Sequence, residues 1–165
     1  MMSDPLEPKG PETGGNGSEA PQSRLQVVGQ YVKDLSFENP GAPASIAARP
    51  KIDLAVDLQA RRVEGNNFEV VLKLRVHATH EDRTIFLLEL AYAGLFQLEN
   101  IPDEYVQQIL LIEAPHLLFP FARRIVSDAV RDGGMPPLMI EPIDFSALYR
   151  AKMNEAMARP GTATV

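Results

Sequence analysis

Residues 68–79 (FEVVLKLRVHAT) alternate with a period of two, and this run narrows the possible folds more than any other in the chain. Phe68, Val70, Leu72, Leu74, Val76 and Ala78 fall on one face. Glu69, Lys73, Arg75, His77 and Thr79 fall on the other, with Val71 the exception. That is an antiparallel strand with one buried and one solvated face. Residues 52–59 repeat the pattern, with Ile52, Leu54, Val56 and Leu58 inward and Asp53, Asp57 and Gln59 outward. Glu64-Gly65-Asn66-Asn67 supplies turn chemistry between the two runs. His80-Glu81-Asp82-Arg83 supplies the next turn and leads into a strand over 84–96, with Phe86, Leu88, Leu90 and Tyr92 on one face. A first strand over 25–35 makes four.

Two of these strands are apolar on both faces. In the first, Leu25, Val27 and Tyr31 share one face while Val28 and Val32 take the other. In the fourth, Ile85 and Leu87 lie opposite the inward set. Contiguous apolar surface on the outer side of a sheet marks an interface.

The last third is helical. Pro102 suits a first helical turn, with Asp103 and Glu104 complementing the positive end of the dipole. Val106, Ile109, Leu110 and Glu113 share a face, and Pro115 ends or kinks the run. Leu118, Phe121, Ala122, Ile125 and Ala129 form the stripe of a second stretch, which Gly133-Gly134 stops and Pro136-Pro137 keeps from resuming. Asp144 caps a third helix that runs to Pro160. Four strands followed by helices give an α+β fold: a four-stranded antiparallel sheet with helices packed on one face. The domain spans 23–158. The Gly-, Pro- and Glu-rich residues 1–22 and the tail 159–165 are expected to be disordered, because they bury too little to offset the entropy of ordering.

Most chemistry is excluded. There is no cysteine, so there is no disulfide, thiolate metal site or cysteine nucleophile. A net charge of −6 argues against nucleic acid as a partner, since phosphate binding needs a basic surface. The start of the chain lacks the basic and apolar segments of a signal peptide, and no run is apolar enough to insert in a membrane. A cytoplasmic location is expected. His77 and His80 are three apart on or near a strand and so point to opposite faces, and His116 lies far along the chain; none suggests a metal site. Gly133-Gly134 ends a helix rather than opening one, so it is no phosphate cradle. No serine has the flanking glycines of a nucleophile elbow. No cofactor is implied. What remains is acid at Asp34, Glu38 and Glu89, suited to docking a basic or metal-bearing partner. There is also a late accumulation of aromatics and methionines, which suits adaptable apolar surfaces.

Three segments, in register and in order, resemble the SecB family of protein-export chaperones. They are Tyr31–Pro40 (YVKDLSFENP), Ala114–Arg123 (APHLLFPFAR), and Gly133–Leu138 (GGMPPL) with Pro142–Tyr149 (PIDFSALY). The resemblance runs from about Leu25 to Met153. It implies a non-enzymatic, ATP-independent chaperone that holds preproteins unfolded and delivers them to the SecA motor for export across the inner membrane. It implies a homotetramer built as a dimer of dimers through first strands and long helices. It places docking of the motor's zinc-bearing C-terminal tail at Asp34, Glu38, Leu87 and Glu89 on the sheet's acidic face. It places client binding at Leu54, Val56, Phe119, Met135, Tyr149 and Met153, in a groove between sheet and helices. Phe121 and Met135 stand where the family often has tyrosine and phenylalanine, and both keep apolar bulk. Two other readings fit the residues alone: an oligomeric α+β enzyme with a site between subunits, and an adaptor for one folded partner. A toxin–antitoxin helper of similar fold is a variant of the chaperone reading.

Overall fold

The structure, a computed structural model, describes residues 17 and 19–159. The expectations for residues 1–16, 18 and 160–165 lie outside the described residues. Four strands, β1 (Arg24–Glu38), β2 (Lys51–Glu64), β3 (Asn67–His80) and β4 (Arg83–Glu99), form one antiparallel sheet in the order β1-β4-β3-β2. All four run longer than the alternation alone suggests. Each hairpin turns on two residues. Gly65 has φ 54°, and Glu81 and Asp82 have φ 49° and 61°, the left-handed values that match the twist of the flanking strands.

The helices follow as α1 (Asp103–Gln108), a π-helical segment (Ile109–Glu113), α2 (Ala114–Asp132) and α3 (Phe145–Ala158). Pro102 precedes α1 as its N-cap, with Asp103 and Glu104 in the first turn. Pro115 was expected to end or kink this run; it does not end it, and the backbone stays helical through Gln108, Glu113 and Ala114 with a π-turn in place of regular α-helix. A proline has no N–H to give the preceding turn, and its ring crowds the carbonyl four residues back. The widened π-turn lies directly before Pro115, where that crowding has to be absorbed. Pro120 also lies inside α2.

At its C-terminus α2 closes in a Schellman motif. Gly134, at φ 89°, donates to the Arg131 carbonyl, and Met135 donates to that of Val130. Asp144 caps α3 by accepting the Ala147 N–H at 3.0 Å. Replacing Asp144 by alanine is expected to cost about 1 kcal/mol. Denaturant unfolding reads that loss, and hydrogen exchange should show it concentrated in the first turn of α3.

The core lies between the even-numbered face of the sheet and the helices. Phe86, Leu88, Phe96, Leu72, Leu74, Val70 and Val76 are fully buried against Leu118, Ala122, Val126 and Phe145. Gly94 makes the approach possible: a Cβ there would fall 2.8 Å from the Leu118 side chain and 2.6 Å from the Phe96 ring. The α2 stripe is rotated from the expected one. Phe121 is 46% exposed, whereas Phe119, Val126 and Val130 are buried.

The two-sided strands have a more local cause than expected. β1 shifts register between Val27 and Gly29 and again between Val32 and Asp34. Each bulge adds a residue and swaps the faces. Tyr31 therefore does not share the face of Leu25 and Val27, as simple alternation required. It lies on the outer face, and Val32 on the helix face. In β4 the register shifts opposite Ala78 and Thr79, and Ile85 is 6% exposed, with its carbonyl accepting from Gly41 of the β1–β2 connection. Ile85 is thus covered by its own chain. Val28, Val32 and Leu35 on the edge strand β1 stay about half exposed.

A candidate docking face and client groove

The outer face of the sheet, opposite the helices, is organised in cross-strand rows. Reading from β2 through β3 and β4 to β1, one row is Asp57, Lys73, Ala91 and Asp34. The next is Ala55, Arg75, Glu89 and Ser36, and the third is Asp53, His77, Leu87 and Glu38. Asp34, Glu38, Leu87 and Glu89, which come from two strands far apart in sequence, thus share one side of one sheet. Asp34 and Glu89 border a shallow depression of about 390 Å³ floored by Ala55 and Ala91.

The face is not uniformly acidic, as the resemblance implied. A column of Lys73, Arg75 and His77 on β3 runs between the carboxylates of β2 and those of β4 and β1. Arg75 pairs with Glu89, Nε to Oε1 at 3.2 Å. His77 bonds Thr84 at 2.9 Å. The sequence had put these three side chains outward; it could not put them opposite Glu89, because strand order and register are not readable from alternation.

Beside the depression lies a buried ionic cluster that sequence reasoning missed. Glu69 is 5% exposed, on the solvated face of β3. It accepts from Lys33 at 2.8 Å, from Arg61 at 3.0 Å and from the Tyr31 hydroxyl. The clamp joins β1, β3 and β2 across Ala93 of β4, which is fully buried beneath it. The Lys33 ammonium first, then the Tyr31 hydroxyl, hold the Glu69 carboxyl down at about 2 against the opposing effect of burial, and Arg61 adds to the lowering. Burial pushes the Tyr31 hydroxyl up to about 12, with Glu69 adding to the rise. Lys33 sits at the second bulge of β1, beside Asp34. The lone Glu69 among apolar neighbours was the available signal, but a solvated carboxylate on an outward face is the commoner outcome.

On the helix side, Met135, itself only 6% exposed, meets Ile52 and Phe86 of the sheet across an apolar cleft of about 250 Å³. Pro136, Pro137 and Leu138 continue one wall, and Ala48 to Pro50 form the other. Leu54, 41% exposed, and the half-buried Val56 continue from Ile52 along the same face of β2. Tyr149 and Met153, one turn apart on α3, are half-buried and 37% exposed. Lys152 of α3 reaches the edge strand, 3.1 Å from Asp57 Oδ1 and 3.4 Å from the Leu58 carbonyl. Phe119 packs inward instead: it is 6% exposed, edge-on to Phe145 and beneath the Arg123 guanidinium. The β1–β2 connection, which forms one wall of the cleft, carried no expectation from sequence.

Among the described residues no cluster of three side chains could hold a metal, and no helix is long and apolar enough to cross a membrane. The family model of the preprotein translocase subunit SecB matches residues 18–156. This chain belongs to the SecB family. It is 49% identical to the protein-export protein SecB of Maricaulis maris, over 92% of this chain and 91% of that one. It is 54% identical to that of Hyphomonas neptunium, over 82% of each. For that of Rhodospirillum centenum the figures are 51%, 92% and 93%. A solved SecB-like chaperone of Mycobacterium tuberculosis, in complex with a peptide from an antitoxin, shares the fold. Its TM-score is 0.62 at 16% identity, covering 73% of this chain and 91% of that one. SecB proteins are chaperones of preprotein export rather than enzymes, and this chain is one of them.

Proposed function

We propose that this SecB works in the cytoplasm with its two faces divided between two partners. Unfolded preproteins lie along the helix side, over the cleft at Met135 and Ile52 and the strip continued by Leu54, Val56, Tyr149 and Met153. Phe119 supports that wall from within. The zinc-bearing tail of the SecA motor docks on the outer face at Asp34, Glu38, Leu87 and Glu89. The observation that carries this reading is the separation itself. Asp34 and Glu89 border a depression on one side of a sheet whose other side carries the apolar cleft. A client and a motor can then be held together, which a handover requires.

Holding needs no nucleotide. The chaperone binds the unfolded client and not the native one, so it competes with folding and aggregation by mass action. One apolar side chain contributes about 1.5–3 kcal/mol before entropy costs, and several contacts along one flexible chain add avidity. A dimer of dimers lengthens the available surface. The exposed Val28, Val32 and Leu35 on the edge strand β1 support pairing through that edge, and the exposed Tyr105 supports contact through α1.

Calorimetric titration with one preprotein, diluted from denaturant and separately already folded, tests the reading. Binding of the unfolded form alone, without nucleotide, is the expected outcome. Binding of the folded form alone would replace the chaperone reading with that of an adaptor.

A further inference from the structure

Glu89 is not free to receive a partner. Its Oε1 is 3.2 Å from Arg75 Nε, and the two residues are directly opposite in the β3–β4 register. Their side chains are 59% and 52% exposed, so the pair stands in solvent and holds only weakly. On its other side Glu89 faces Ser36, which brings no charge. Arg75 itself has somewhere to go. It lies opposite Ala55, with Asp53 and Asp57 at the diagonal positions on β2, within reach of a long side chain. Asp57 already holds Lys152, so Asp53 is the carboxylate of the two without an ion pair among the described residues.

Resting on the outer face being the motor's docking surface, we propose that Arg75 is a built-in competitor for Glu89 that sets how tightly, and to what, this face binds. A docking segment must displace the Arg75 guanidinium with donors of its own, and Arg75 then turns toward the β2 carboxylates. Lys73 and His77 extend the same column above and below. A plain run of lysines therefore meets like charge over β3 where it crosses at Lys73 or Arg75. A segment that concentrates its donors at Glu89 and Asp34 and leaves β3 uncharged does not. The column costs affinity and gains selectivity, because part of its effect is repulsive.

The experiment titrates the zinc-loaded SecA tail peptide, at low salt, into the full chain and into Arg75→Gln, Glu89→Gln and the double variant. The unchanged chain is measured first: no binding there overturns the docking reading and this proposal together, whereas any later failure belongs to the proposal alone. Arg75→Gln is expected to bind about two- to fivefold tighter, the size of a released surface pair. In the Glu89→Gln background the same change is expected to do nothing, since there is no carboxylate left to unmask. Equal or weaker binding by Arg75→Gln would make Arg75 a bystander or a contact and overturn the idea. So would a gain that persists without Glu89, which would reflect the general field of the face. Client holding by each variant checks the fold, as Arg75 is on the side away from the cleft.

Discussion

Replacing Asp34 and Glu89 together by lysine is expected to lower affinity for the motor's tail about a hundredfold at low salt, with client holding unchanged. The size follows from reversing two charges that border the same depression. Docking would bury both carboxylates; breaking a buried, hydrogen-bonded charge contact in an interface costs about 2–5 kcal/mol, and about 2.7 kcal/mol is a hundredfold. The effect should shrink as salt is raised, because both groups are exposed and screening acts over about 8 Å at physiological ionic strength. A lysine at position 89 would also face Arg75 across the β3–β4 pair. Like charges directly opposite cost about 0.2–1 kcal/mol, which is too little to unfold a domain. Parallel loss of client holding would show that the outer face is structural and that docking lies elsewhere.

The second large effect is at Glu69. Its carboxyl sits at about 2 instead of the ordinary 4.5. A depressed folded value means that the stabilisation is fully present above pH 4.5 and is lost as pH falls toward 2. A shift of this size corresponds to about 3 kcal/mol. Because Lys33 and Arg61 stand half in solvent, Glu69→Gln should lose only part of that at neutral pH, on the order of 1–2 kcal/mol, and flatten the acid limb of the stability profile. Urea denaturation at a series of pH values reads both. Tyr31 works at the other end: its raised value stabilises the fold below pH 10, and that contribution is lost as pH rises toward 12. An acid limb unchanged by Glu69→Gln would remove the clamp as the cause. Because Lys33 lies at the bulge beside Asp34, loosening the clamp should also blunt docking.

The alternation of residues 68–79 made the sheet legible, and Asp144 made the start of α3 legible, because a two-residue period and an N-cap are local facts. β1 was misread where two bulges break the period: Tyr31 changes faces with no mark in the sequence except failing alternation. Pro115 was legible as a disturbance of the helix but not as to which kind: the local rule allows a stop or a distortion, and the packing of Leu110, Ala114 and Leu118 against the sheet keeps the helix going through a π-turn. The residues proposed for docking could be named singly, but their rows depend on β4 standing between β1 and β3. That placement also hid the basic column beside Glu89 and the partners of Glu69, whose clamp draws on three strands.

The position of β4 has one more consequence, for how the molecule is made. A ribosome delivers β1 first, yet its hydrogen-bonded neighbour in the sheet, β4, arrives last of the four. β2, β3 and β4 can zip as successive hairpins while they emerge, since their contacts are local and fast to form. Until β4 is made, Arg24–Glu38, a partly apolar segment, lacks the strand that it pairs with in the finished sheet. During its own synthesis this holder of unfinished chains carries such a segment itself.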